Sequence, residues 1–128
     1  MSAPQQLSLR QKQSLFARLL GELLVWIYAQ GWEVTLADGS IDRVRKVEAA
    51  GKTFTGTDRV HMPGSLHYVR LAQDLNLFVD GRLVADGGHP AWQAIGARWK
   101  GQHELCAWGG DFASVDSNHV SLRHDGKA

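Results

Sequence analysis

The sequence is poor in the features that most readily place a small protein in a class. It has a single cysteine, Cys106, so no internal disulfide framework holds it together, and any metal site must be built from histidine and carboxylate ligands. Flanked by Leu105, Ala107 and Trp108, that thiol reads as a core group and not as a nucleophile. Net charge is only +1, too little to create the field that draws a protein to nucleic acid. The apolar stretch from Leu15 to Ala29 is interrupted by Arg18 and Glu22 and follows long polar side chains, so it fits neither a membrane span nor a targeting segment. Internal repeats and low-complexity tracts are absent.

What is present is 128 residues with 44% hydrophobic content, enough for one ordinary core, and a single domain over 1–128 is expected. From Ser8 to Gln30, residues Leu15, Phe16, Leu19, Leu20, Leu23, Leu24 and Ile27 recur at helical spacing, and Gly31 stops the helix. Trp32 to Ala37 reads as a short strand ended by the turn pair Asp38-Gly39, and Asp42 to Ala50 as a short helix closed by Gly51. Residues Gly51 to Gly64 show no sustained period and read as a loop. Ala72 to Val84 has the pattern of a hairpin turning at Asp80-Gly81. Pro90 opens a second helix carrying Trp92, Ile95 and Trp99 to about Gly101. Strands follow at Leu105 to Trp108 and at Asn118 to Arg123, with a loose tail expected after His124.

Alternation along the first hairpin arm places Leu75, Leu77 and Val79 on one face and Asp74, Asn76 and Phe78 on the other. In the last strand Val120 and Leu122 share the core face, which turns His119 and Ser121 to the opposite one. His67 lies just before the hairpin, within reach of Asp74 if the chain bends near Tyr68 to Leu71. Two histidines and one carboxylate suit zinc, and three protein ligands leave a fourth position for water, as a catalytic site requires. Asp116, three residues before His119, is placed to act as general base without entering the ligand set.

These residues resemble a known family. Ser65-Leu66-His67-Tyr68-Val69-Arg70-Leu71-Ala72-Gln73-Asp74 resembles the S-x-H-x-x-G-x-A-x-D signature of the zinc D-alanyl-D-alanine carboxypeptidases and L-alanyl-D-glutamate endopeptidases. Trp108-Gly109-Gly110-Asp111-Phe112, followed by Asp116-Ser117-Asn118-His119, resembles their second signature, W-G-G-D-[FW] and then D/E-x-x-H. The run from Arg70 to Phe78 with Asp80-Gly81 looks like the compact phage and prophage endolysins of the family. The resemblance covers roughly residues 31–122 and implies an α+β fold, a small antiparallel sheet flanked by helices with the zinc site on the sheet. It implies His67, Asp74 and His119 as zinc ligands and Asp116 as the base.

Two positions depart from the pattern. Arg70 stands where the signature has glycine. The family's upstream arginine, which would bind the substrate carbonyl and its developing oxyanion, has no matching tripeptide here; Arg43 is the best candidate, with Arg45, Arg59 and Arg70 as rivals. Ser65 either orients a ligand or caps a turn, and Trp108 either lines the cleft or fills the core. His61, His89, His103 and His124 lack a matching context and read as ordinary surface residues.

The function so implied is a zinc peptidase, an endolysin cutting the L-alanyl-D-glutamate bond of peptidoglycan stem peptides. The alternatives are a D-alanyl-D-alanine carboxypeptidase, and an inactive zinc-binding or virion structural module. The expected partner is the stem peptide, with no nucleic acid, no stable membrane insertion and a monomeric chain. Without a targeting segment the protein would be made in the bacterial host cytoplasm and reach periplasmic peptidoglycan by another route, such as a holin pore.

Overall fold

A computed structural model of the chain describes residues 6–37, 51 and 65–128. Helix α1, Leu9–Ala29, begins at a reciprocal cap: the Ser8 hydroxyl accepts from the Gln11 amide at 3.1 Å, and the Gln11 side chain accepts from the Ser8 amide at 2.8 Å. Each bond satisfies a donor that the first turn would otherwise leave open. The helix buries Phe16, Leu19, Leu23 and Ile27, one stripe at three- and four-residue spacing, and Gly31 ends it with φ of 84°.

Five antiparallel strands follow: β1 Glu33–Ala37, β2 Ala72–Val79, β3 Arg82–Leu83, β4 Cys106–Trp108 and β5 His119–Leu122. The sheet order is β1-β2-β5-β4, with β3 also paired to β2. A second helix, α2, spans Pro90–Gln102. Proline at its start costs no hydrogen bond, and His89 Nδ1 accepts from the Ala91 amide at 3.0 Å. The expected α+β architecture is therefore the one observed, and the predicted elements at both helices, the hairpin and the last two strands lie within a few residues of the observed ones. The turn at Asp38-Gly39 and the helix over 42–50 lie outside the described residues.

Both helices pack on the sheet face that carries Leu75, Leu77, Val120 and Leu122, all at most 1% exposed. Trp99 locks the layers together. Its ring meets Phe16 edge-on at 5.7 Å, and its Nε1 donates to the carbonyls of Ala107 at 2.9 Å and Ser121 at 3.2 Å, so the indole is buried without an unpaired donor.

Two expectations are corrected. The residues after His124 are not loose: His124 and Lys127 exchange backbone hydrogen bonds of 3.0 and 2.9 Å around Asp125 and Gly126, which both take positive φ. Three histidines read as surface groups are structural and half-buried. His89 caps α2, His103 Nδ1 accepts from the Leu105 amide at 3.0 Å, and His124 Nδ1 lies 3.0 Å from Lys12 Nζ. His61 lies outside the described residues. Among the described residues, no helix is long and apolar enough to cross a membrane.

Candidate metal centre

Sheet register brings the first two ligand candidates together. Asp74 on β2 stands directly opposite His119 on β5, and side chains of directly opposed residues share one face with their Cβ atoms about 5 Å apart. His67 arrives from a 3₁₀ turn, Leu66–Val69. Ser65 caps that turn, its hydroxyl accepting from the His67 amide at 3.2 Å, and Leu66 anchors it in the core at 3% exposure. The turn closes through Arg70, whose φ of 59° and ψ of 37° are left-handed. Glycine, which the resembled signature has at this position, enters that region freely.

His67 Nε2 lies 3.4 Å from Asp74 Oδ1, and His119 Nδ1 lies 3.5 Å from the same oxygen. The two imidazole rings are 5.2 Å apart at 67°, and one ligand atom from each residue falls within 4.8 Å of the others. Both nitrogen–oxygen distances exceed the usual hydrogen-bond length. They match the edge of a tetrahedron with metal–ligand bonds of 2.0–2.2 Å, which is roughly 3.4 Å. Asp74 Oδ1 is buried with no hydrogen-bond partner among the described residues, the condition a cation relieves. His67, Asp74 and His119 can thus hold a metal ion, and they are the one such cluster among the described residues.

Electrostatics agree with the geometry. Burial alone would raise the Asp74 pKa, but the facing imidazoles of His119 and His67 outweigh it and hold the carboxyl well below the usual carboxylate range. His119 is 6% exposed, packed against Phe112 with ring centroids 5.3 Å apart. The sheet face opposite the helices is therefore covered at this point; Ser121, on the same face, is 0% exposed and its hydroxyl has no partner among the described residues. Cys106 is excluded as a reactive group, since burial pushes its thiol up to about 11.

Asp116 lies outside the ligand cluster. It is exposed and lines a cleft of about 700 Å³. Its backbone is held tightly: its amide donates to the Gly109 carbonyl at 2.9 Å, and its carbonyl accepts from the His119 amide at 3.1 Å. A side chain at position 109 would meet the Asp116 carbonyl oxygen at 2.0 Å, so glycine there is a steric requirement. Trp108 resolves in favour of structure. Its ring leaves no room for a Cβ at either Gly96 or Gly110, at 2.2 and 2.3 Å, and its Nε1 donates to the Ser117 carbonyl at 2.7 Å. The Ser117 hydroxyl in turn donates to the Gly87 carbonyl at 2.8 Å. The segment carrying Asp116 and His119 is pinned from both sides.

Arg43, with its rivals Arg45 and Arg59, lies outside the described residues, while Arg70 is exposed on its turn. Ser117, Gly87 and Gln93 follow no period or spacing that marks them in the sequence, and alternation places Asn76 only on the face of Asp74. No protein-family model matches the sequence, and no curated protein matches it.

Proposed function

We propose that the protein is a zinc-dependent peptidase of bacterial peptidoglycan, an endopeptidase that hydrolyses the L-alanyl-D-glutamate bond of stem peptides. One observation carries this reading. His67, Asp74 and His119 converge with ligand atoms within 4.8 Å of one another, and they come from the two segments that resemble the two family signatures. Two nitrogens and one carboxylate oxygen suit zinc better than magnesium or calcium, which prefer all-oxygen sites. When bound there, zinc supplies Lewis acidity, lowering the pKa of water toward about 7 and polarising the scissile carbonyl.

Asp74, held ionised between the imidazoles, contributes the negative charge of the ligand set. Asp116 accepts the proton lost by water as its oxygen bonds to the carbonyl carbon, then returns that proton to the departing amine as the C–N bond breaks. Its exposure on the cleft wall gives it access to substrate, and the backbone bonds to Gly109 and His119 keep it beside the ligand strand. The products are a carboxylate and an amine, so no oxidant or co-reactant is consumed. The phage-like run around Asp74 favours a role in lysis.

Digestion of purified peptidoglycan by the zinc-loaded protein, with mapping of new termini, tests the reading. New glutamate amino termini are expected. Free D-alanine from a stem pentapeptide would instead mark a carboxypeptidase, and intact substrate at full zinc occupancy would defeat both. Asp116→Ala should abolish turnover while keeping zinc; loss of the metal would contradict the assignment of a base.

A further inference from the structure

The turn that carries His67 spans only four residues, Leu66–Val69, and a 3₁₀ turn of that length, with its poorer hydrogen-bond geometry, needs support from outside itself. Its chain leaves through Arg70 in the left-handed region, which a non-glycine residue does not favour. The Ser65 cap and the buried Leu66 side chain hold its first half. Its last residue is held from α1: Gln13 Nε2 donates to the Val69 carbonyl at 2.9 Å, across 56 positions of sequence. The final carbonyls of a helical turn have no partner within it, so this bond closes an acceptor that the turn itself leaves open.

The preceding residue of α1 makes a similar contact to the second ligand-bearing segment. Lys12 Nζ lies 3.0 Å from His124 Nδ1, and His124 follows by two residues the end of β5, the strand that begins with His119. Lysine carries donors alone, so the imidazole nitrogen is the acceptor. Two consecutive residues near the start of α1 thus touch the chain beside both histidines of the cluster. The helix is a firm support for them, because Phe16, Leu19, Leu23 and Ile27 bury its other contacts in the core. It also lies outside residues 31–122, the span of the family resemblance, so that likeness assigns it no role.

We propose that α1 braces the metal centre and that Gln13 is a positioning residue for His67, holding the imidazole where it faces Asp74. The proposal rests on the reading of His67, Asp74 and His119 as a metal site. Its physical content is preorganisation. A turn released at Val69 spends part of its time with His67 turned away, and apparent affinity for an ion falls with the fraction of molecules in which the three ligands are assembled. One neutral hydrogen bond shifts such an equilibrium about fivefold.

Zinc affinity, measured by competition against a chromophoric chelator, tests this on the parent protein, Gln13→Met and Gln102→Met. Methionine keeps the length and helix propensity of glutamine and lacks its donor. Gln102 is the control: its Nε2 donates to the Leu19 carbonyl at 2.8 Å, a bond of the same kind that ties α1 to α2 and to no ligand-bearing segment. Both variants should lose similar stability without zinc, and Gln13→Met alone should bind zinc about fivefold more weakly. The His67 ring signals in the NMR spectrum of the zinc-free protein should move in Gln13→Met and stay in place in Gln102→Met. Equal zinc affinity in the parent and Gln13→Met overturns the proposal, and so does an equal loss in both variants, which would mark a general weakening of the fold. A parent protein that takes up no zinc defeats the metal-site reading, and the proposal with it.

Discussion

Arg70 shows how a single residue carries a backbone demand that its side chain does not favour. Its left-handed conformation costs a non-glycine residue about 1 kcal/mol, and its side chain is exposed. Arg70→Gly should therefore stabilise the fold by about 0.5–1 kcal/mol, part of the gain being lost to the freer unfolded chain. A denaturant midpoint that stays put or falls would reject the argument. Cys106 supplies a pH dependence of definite sign. Burial raises its pKa from 9.0 to about 11, opposed by a backbone hydrogen bond at His103 and by the charge of Arg123. Below pH 9 the thiol is protonated in both folded and unfolded chains, and its contribution to stability is complete. Above that, the unfolded chain ionises first while the folded one retains its proton, so stability falls as pH rises from 9 toward 11. Cys106→Ala should flatten that fall relative to the parent in urea titrations at pH 8 and 10.5, and parallel losses in the two proteins would show that the thiol is not responsible.

At the scale of elements, α2 and β4 meet with no room to spare. Gly96 and Gly110 sandwich the Trp108 ring so closely that a Cβ at position 96 would lie 2.2 Å from it. Gly96→Ala should cost about 1–3 kcal/mol, the range for forced overpacking, and because Trp108 holds the Ser117 carbonyl, the proposed peptidase turnover should fall in the fraction that remains folded. Wild-type thermal stability in this variant would contradict the clash. Sequence alone disclosed much of this framework, for a physical reason. α1 announces itself through a long apolar period ended by Gly31, and β2 through alternation ending at Asp80-Gly81; both signals are local. Asp74 and His119 could be placed on one face because alternation is also local, and their direct opposition followed once the strands paired. What local pattern cannot carry is how far that face is covered, which depends on segments distant in sequence. The burial of His119 and Ser121, the contact of His124 with Lys12 and the clamp on Trp108 arise from tertiary contacts of this kind, while the bonds His89 and His103 make to residues two positions on are local but follow no period.

For the whole molecule, the candidate ligand cluster joins the turn before β2 to the two central strands β2 and β5, so an ion held there would be a cross-link present only in the folded state. Asp74 Oδ1, buried and without a hydrogen-bond partner among the described residues, is the atom such an ion would neutralise, and the unfolded chain cannot assemble the three donors in one place. Binding to the folded state alone stabilises by mass action, about 2.7 kcal/mol at a free zinc concentration one hundred times the dissociation constant. For a chain of 128 residues this corresponds to a rise of about 10 °C in Tm. Melting curves with zinc and with excess chelator should differ by about that amount and return to the higher value when zinc is restored. His119→Ala and Asp74→Asn should remove the increment. His89→Ala, which removes only the cap of α2, should lower both curves by a similar amount and leave the gap between them intact. If zinc left the melting temperature of the parent protein unchanged, or if the His89 variant lost the increment as the His119 variant does, the three side chains would not be acting together as a metal site.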